Sequence, residues 1–284
     1  MSDLRVKIKR QVEMLAIALN EPGKYSITDL QFIFDCNEIT IKRDLSELRS
    51  KGVNIHSVPK KGLIVEGKAS DEIIRSLLAQ YIIISQLEGT QNKATEALVN
   101  IRRQESLVIF AIIQRCIDHS KKAQIKYKSA GNPSVSSKVI EPLLLFEREN
   151  CWRLIANENS KRKQFVVEKI ISAKETEQTF IPPDKGKLKN ALDISFGAWI
   201  DDKSIPVTIL FSRDWLYSGK LPHLMKGQEN KELSDGSIMV SFKVSYLEDL
   251  ARWIVARGGE VIALEPKELR KRVKEFAEGV LKRH

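Results

Sequence analysis

The chain has 284 residues, 42% of them apolar, with 47 Lys and Arg against 37 Asp and Glu. That is enough for two or three domains with full cores and excludes a disordered chain, and the net charge of +10 favours polyanionic partners. The longest apolar run, Leu107 to Ile113, falls far short of the ~20 residues of a membrane helix, and Arg5, Lys7, Lys9 and Arg10 break up any signal core, so the expectation is a cytoplasmic protein with no membrane partner.

Residues 4–19 repeat apolar positions at helical spacing, with Val12, Leu15, Ala16 and Leu19 as the core stripe. Glu21-Pro22-Gly23 ends that helix, since Pro cannot continue it and Gly tolerates the exit. A second helix is expected from about Thr28, burying Leu30, Ile33 and Phe34. After a tight turn at Asp35-Cys36-Asn37, Asn37 is placed to cap a third helix with Ile41, Leu45 and Leu48 inward. Val53 to Val58, the turn Pro59-Lys60-Lys61-Gly62 and Leu63 to Glu66 read as a β-hairpin. Three short helices and a basic hairpin are the layout of a winged helix-turn-helix. On the third helix, Glu38, Ile39, Lys42 and Arg43 would project toward base edges and Thr40 toward a phosphate, with Lys60 and Lys61 on the flanking backbone.

Residues 68–118 show two long helical patterns, one from Asp71 to Ile84 and one from about Ala94 to Asp118. Their apolar surface is broader than a single stripe, which fits either intramolecular packing or a dimer interface, with a linker that also contributes to a dimer preferred. Beyond Ser120 the pattern turns to strands: Ala123 to Lys128, a Gly131-Asn132-Pro133-Ser134 turn, Lys138 to Phe146 and Cys151 to Ala156. A polar loop at 157–163 and a strand at Phe165 to Ile171 follow, a spacing that suggests a small barrel. Residues 204–284 read as strand, helix, strand, helix, strand, helix. The expected domains are 1–67, 68–118, 119–190 and 191–284, in a multidomain α+β chain. The third holds 15 basic and 8 acidic residues, and so carries most of the excess charge.

Chemistry-bearing motifs are sparse. Cys36, Cys116 and Cys151 and the four histidines are too scattered for a structural zinc site, and an odd cysteine count suits a reducing compartment. Cys116 and His119 could share a helical face without a third ligand nearby. There is no Gly-rich phosphate loop and no nucleophile elbow, and Asp201-Asp202 reads as a loop. No enzyme, no catalytic residue, no metal and no cofactor are expected.

Glu38-Ile39-Thr40-Ile41-Lys42-Arg43-Asp44-Leu45, with Gly52, Val53 and Ile55 after it, resembles the recognition helix and hairpin start of DeoR-like winged helices in bacterial regulators. Ser136 to Pro142, Trp152-Arg153-Leu154 and Lys163 to Ile170 resemble the WYL domain, an Sm-like β-barrel. The family's middle Tyr is Arg153 here; its arginines fall on Lys138, Lys163 and Lys169, and its Asp on Glu168. Charge is kept, but three planar arginine forks are lost. Trp253 to Gly259, Leu264-Glu265-Pro266 and Glu268-Leu269-Arg270 look like the C-terminal extension that follows WYL domains, which implies a ferredoxin-like αβ unit.

The resemblance implies a ligand-responsive transcriptional regulator, with repression preferred to activation. It would bind an inverted-repeat DNA operator as a homodimer and sense single-stranded nucleic acid or a nucleotide through Ser136, Lys138, Arg153, Lys163 and Lys169. In that picture the barrel cations repel one another until a polyanion enters. Trp152 could offer a stacking surface, but alternation along the strand puts it opposite Arg153, which favours the core. The competing reading is a nucleic-acid-binding accessory protein in DNA repair or phage defence, without promoter control.

Overall fold

A computed structural model describes residues 3–85, 92–129, 134–148, 150–197, 203–218 and 220–284. Residues 131–133 of the expected turn at 131–134 and the pair Asp201-Asp202 lie outside these residues. The chain is a mixed α+β structure with a helical N-terminus and several sheets, and it divides into two compact units, Met1–Pro182 and Pro183–His284.

The first unit opens with three helices, α1 (Asp3–Asn20), α2 (Ile27–Phe34) and α3 (Glu38–Ser50), followed by the hairpin β1 (Ile55–Val58) and β2 (Gly62–Val65). Helix α2 starts earlier than Thr28. Ser26 is the true cap, because its hydroxyl takes the Asp29 N–H while the Asp29 carboxylate takes the Ser26 N–H, a reciprocal pair that Thr28 cannot make. Of that helix's expected inward residues only Leu30 is fully buried; Ile33 and Phe34 are half-covered. Asn37 caps α3 as expected, accepting the Thr40 N–H at 2.8 Å. Gly23 (φ 77°) and Gly62 (φ 72°) bring the α1–α2 turn against the hairpin, where Gly23 N–H reaches Leu63 O and Leu63 N–H reaches Tyr25 O, each at 2.8 Å. A Cβ on Gly62 would stand 2.6 Å from the Gly23 carbonyl oxygen, so only glycine allows this crossing.

Three more helices follow, α4 (Asp71–Ile84), α5 (Asn92–Arg102) and α6 (Gln104–Asp118). The single helix expected from Ala94 to Asp118 is broken at Arg103, which adopts φ 51°. The apolar period runs on through the break, and no Gly or Pro marks it, so the sequence conceals it. Arg102 Nε donates to Glu168 O at 2.7 Å, the Arg103 guanidinium pairs with Asp71, and Ser106 Oγ closes on Arg103 O at 2.5 Å. The broad apolar surface of α4–α6 is used inside the unit: Ile74, Leu77, Leu78, Tyr81, Leu98 and Leu107 to Ile113 are buried, while Ile83 and Ile101 stay exposed.

Strands β3 (Lys121–Lys128), β4 (Val135–Arg148), β5 (Cys151–Glu158), β6 (Lys161–Val166) and β7 (Ile170–Thr179) form an antiparallel sheet of order β6-β5-β4-β3-β7. The expected loop at 157–163 is instead a tight hairpin, with Asn159 (φ 51°) and Ser160 (φ 61°) supplying the left-handed pair that a two-residue turn needs. The expected strand 165–171 is divided by a 3-10 turn, Val167–Lys169, between β6 and β7. These two strands are the edges of the sheet yet consecutive in sequence, so the three-residue turn forces the sheet to curl. Tyr127 sits at the closure: its hydroxyl accepts the Val166 N–H at 3.2 Å and its ring meets Phe165 edge-on at 5.1 Å. One buried core runs from Val12 in α1 to Ala173 in β7. It passes without interruption through the expected boundaries at 67 and 118.

In the second unit, α7 (Lys185–Asp193) spans the expected boundary at residue 190. Then come β8 (Ile205–Phe211), α8 (Arg213–Ser218), β9 (Glu229–Glu232), β10 (Ile238–Val244), α9 (Leu247–Val255), β11 (Val261–Glu265) and α10 (Lys267–Leu281). The sheet order is β11-β8-β10-β9, all antiparallel, over a core that includes Ile209, Phe211, Phe242 and Ile254. The alternation of single strands and helices read from sequence omits β9. Its residues Glu229-Asn230-Lys231-Glu232 are all exposed, so no apolar signal announces it. Among the described residues, no helix is long and apolar enough to cross a membrane.

Candidate functional site

Helix α3 is two-sided. Ile41, Leu45 and Leu48 are buried, whereas Ile39 is 77% exposed and Glu38, Lys42 and Arg43 also face solvent, with Thr40 half-covered. Lys42 Nζ pairs with Glu38 at 2.6 Å one turn away. The buried side is fixed by polar as well as apolar contacts. Asp44, wholly buried, takes Arg10 Nε at 2.5 Å and Gln11 Nε2 at 3.1 Å. Glu47 takes Lys7 and Gln11, both near 2.7 Å, and Lys51 Nζ reaches Gln11 Oε1 at 3.0 Å. The Lys7 contact holds the Glu47 carboxyl below its ordinary pKa. Sequence reasoning placed Asp44 in the recognition motif without a task; it is the anchor that holds α3 on α1, and only its partners 33 and 34 residues away reveal this. Lys60 and Lys61 stand exposed at the hairpin tip.

The five candidate ligand residues do not form one cluster. Lys138 on β4 and Lys163 on β6 converge on Glu158 of β5, at 2.7 and 2.5 Å. Lys138, then Lys163, holds the Glu158 carboxyl below its ordinary value. Ser136 lies two residues before Lys138 on the same face and donates to Tyr127 O at 3.3 Å. Arg153 is on the alternate face of β5 from Glu158 and donates to Gln164 Oε1 at 3.1 Å. Lys169 lies in the 3-10 turn. Mutual repulsion of four gathered cations is therefore not how the sheet is arranged, because a carboxylate already offsets two of them. Trp152 is fully buried, edge-on to Phe110 at 4.9 Å, with its Nε1–H on Thr95 Oγ1 at 3.2 Å.

A second polar network ties the sheet to the N-terminal helices. Arg115 of α6 donates from Nη1 to Glu13 of α1 at 3.2 Å and from Nε to Glu175 of β7 at 2.9 Å, and lies over the Phe34 ring of α2. Tyr81 of α4 donates to the other Glu13 oxygen at 3.0 Å, and Lys121 of β3 to the other Glu175 oxygen at 2.7 Å. Burial pushes the Glu13 carboxyl above its ordinary pKa. Against burial, Lys121 and Arg115 hold Glu175 below its own. Beside this network lies a cleft of about 530 Å³, crossed by the Lys174–Glu21 pair at 3.0 Å.

Among the described residues no three His, Cys, Asp or Glu side chains lie close enough to hold a metal. Cys116 is buried, its thiol pushed up to about 12 by desolvation, while His119 is exposed and turns back to Arg115 O.

No curated protein matches the chain significantly. Among solved structures, it is similar to the proteasome accessory factor B/C (PafBC) of Arthrobacter aurescens, at 15% identity and a TM-score of 0.28. The match covers 97% of this chain and 48% of that one, so the chain spans about half the length of this relative. It is also similar to a structure described as a CRISPR Cas-related protein, at 12% identity and a TM-score of 0.41, covering 99% of this chain and 85% of that one. Within the chain, residues 108–175 match the WYL domain and residues 203–281 match the WCX domain, which identifies the curled sheet with its preceding helix as the first and the four-stranded unit as the second.

Proposed function

We propose that the chain is a sequence-specific, DNA-binding transcriptional regulator of the cytoplasm. In this reading residues 1–67 act as a winged helix-turn-helix. The curled sheet is an Sm-like barrel that senses a nucleic-acid or nucleotide-like anion. The second unit is a ferredoxin-like accessory domain, supported by its strand order, in which the fourth strand precedes the first, third and second. The observation that carries the reading is the two-sidedness of α3: Asp44 and three apolar side chains hold one side, while Ile39 and Arg43 stand free on the other. A helix held in this way enters a major groove without loss of its own core. A homodimer on an inverted repeat follows from specificity, since one recognition helix reads too few base pairs. Repression is the preferred mode.

Selection of bound fragments from genomic DNA tests this. A discrete, roughly palindromic site upstream of a gene is expected; uniform recovery of all fragments would replace regulation by sequence-independent binding. On the selected site, Arg43→Ala should cost ~1–3 kcal/mol of discrimination against the wrong base. Lys60→Ala and Lys61→Ala should weaken all duplexes alike and lower the salt slope by about 1 each. Relaxed preference in the hairpin variants with none in Arg43→Ala would overturn the assignment.

For the sensor, Arg153→Glu with Lys169→Glu should leave ligand-free operator binding near wild type and abolish the response to oligonucleotides. Couplings of this kind are typically ~1–3 kcal/mol, or 5–150-fold in operator affinity. Loss of operator binding in a folded double variant would place this surface in the DNA interface and end the sensor reading.

A further inference from the structure

Between α3 and β1 lies a cleft of about 340 Å³ lined by Ile27, Lys42, Leu45, Arg49, His56 and Ser57. Lys42, Leu45 and Arg49 recur at positions i, i+3 and i+7, so they form one stripe of α3 along the seam with the hairpin. Leu45 is buried and forms the floor. The rim is polar: Lys42, Arg49 and Ser57 can all donate, and His56 can join them from β1.

The seam is organised before any ligand arrives. Arg49 Nη1 donates to Ile55 O at 3.1 Å, which fixes one arm of the guanidinium on the hairpin. Asn54 directs its Nδ2 toward the Glu66 carboxylate at 3.3 Å, which turns its Oδ1 toward His56 Nε2 at 2.5 Å. An amide oxygen only accepts, so His56 Nε2 carries a proton and the ring orientation is set. Lys42 is held by Glu38, and both side chains are more than half exposed. An exposed pair of this kind is weak and exchangeable.

This inference rests on the DNA-binding reading above. If α3 lies in a major groove and the tip at Lys60 and Lys61 reaches the flanking backbone, then the strand that borders the groove must cross the seam between them. We propose that the seam cleft is a phosphodiester site, in which Lys42, Arg49, Ser57 and the imidazolium form of His56, donating from Nδ1, take one backbone phosphate of that bordering strand. Lys42 then acts on the backbone rather than on base edges, leaving Arg43 as the charged reader of sequence. The site sets register and affinity and carries no sequence information of its own.

The test uses the full chain and a duplex enriched by the wild-type protein from a random-sequence pool. His56→Gln and Arg49→Gln, singly and together, are titrated by fluorescence anisotropy from 50 to about 200 mM salt. The double variant should bind about tenfold more weakly, as for a lost charge-assisted hydrogen bond. The slope of log K against log salt should fall by about 0.9 for one phosphate, with base preference unchanged. A single neutral methylphosphonate is then walked along each strand. One position should weaken the wild type about as much as the double variant is weakened, and should have no further effect in that variant. His56→Gln, which leaves the Arg49–Ile55 hydrogen bond in place, keeps the test open should Arg49→Gln loosen the hairpin; it alone should blunt the response at that position. An unchanged salt slope and full methylphosphonate sensitivity in the variants would overturn the site while leaving DNA binding intact. Failure of the wild type to enrich or bind any duplex would overturn both.

Discussion

Arg115→Ala should destabilise the first unit by about 3–5 kcal/mol, the range for removing one partner of a buried ion pair. Glu13 is only 4% exposed and would keep Tyr81 and a distant Lys9, at 3.9 Å, but lose its guanidinium. Glu175 would keep Lys121. The sign of the pH dependence follows from Glu13. Burial has already raised its carboxyl above the ordinary 4.5, and Arg115 is one of the charges that hold it down. A carboxyl raised in the folded state favours folding below its ordinary pKa and loses that contribution as pH rises through the folded value. The deficit of the variant should therefore be largest at neutral pH and shrink at mildly acid pH, as Glu13 takes up a proton. Glu175 titrates with the opposite sign: lowered in the folded state, it stabilises above its ordinary pKa and is lost as pH falls through the folded value, which narrows the gap further where Arg115 supplied that contribution.

Urea unfolding by far-UV circular dichroism at both pH values checks this, with hydrogen exchange of α1 to localise the loss. Adding Glu13→Gln to Arg115→Ala should recover part of the deficit. A neutral-pH deficit below about 1 kcal/mol, in the range of an exposed pair, would sink the account. Arg115 touches α1, α2 and β7 together, so the loss should reach all three elements.

Trp152→Ala should cost about 3–5 kcal/mol, the range for emptying a fully buried aromatic site. The indole packs edge-on against Phe110 of α6 and donates to Thr95 of α5, so its removal opens a void between the sheet and both helices and strands a buried hydroxyl. Trp152→Phe keeps most of the volume and should cost about 1 kcal/mol for the hydrogen bond. The conservative variant separates packing from recognition. If Trp152 is core, Trp152→Phe folds and keeps any oligonucleotide response. If the folded variant loses that response while Trp152→Ala is hardly destabilised, the indole is a stacking surface for a ligand.

The elements that read correctly from sequence are those with a local cause. Asn37 caps α3 from three residues away, Glu21-Pro22-Gly23 stops α1, and alternation on β5 separates Trp152 from Arg153. Each depends on interactions within a few residues, which composition and period encode directly. The errors are also local in kind. The start of α2 depended on a two-way Ser26–Asp29 pair rather than on one good capping residue. The break at Arg103 and the turn at Asn159-Ser160 placed left-handed backbone where no glycine announces it, and β9 has no apolar face.

The candidate site divides along the same line. The exposed residues of α3 and the lysines of the hairpin tip were legible, because helical period alone decides which side of a short helix is buried. Sequence could not show that Asp44 belongs to α1, that Glu158 offsets Lys138 and Lys163, or that Arg49 and His56 share a seam. Nor could it pair Arg115 with Glu13, 102 residues away. A charge read from sequence has no partner, and its pKa, its reach and its freedom to bind an anion depend on which opposite charge the fold brings within a few ångströms. Sequence determined the elements with a local apolar period and the sign of the charge on each; the tertiary structure decided which charges are spent holding the chain together and which are left to meet something else.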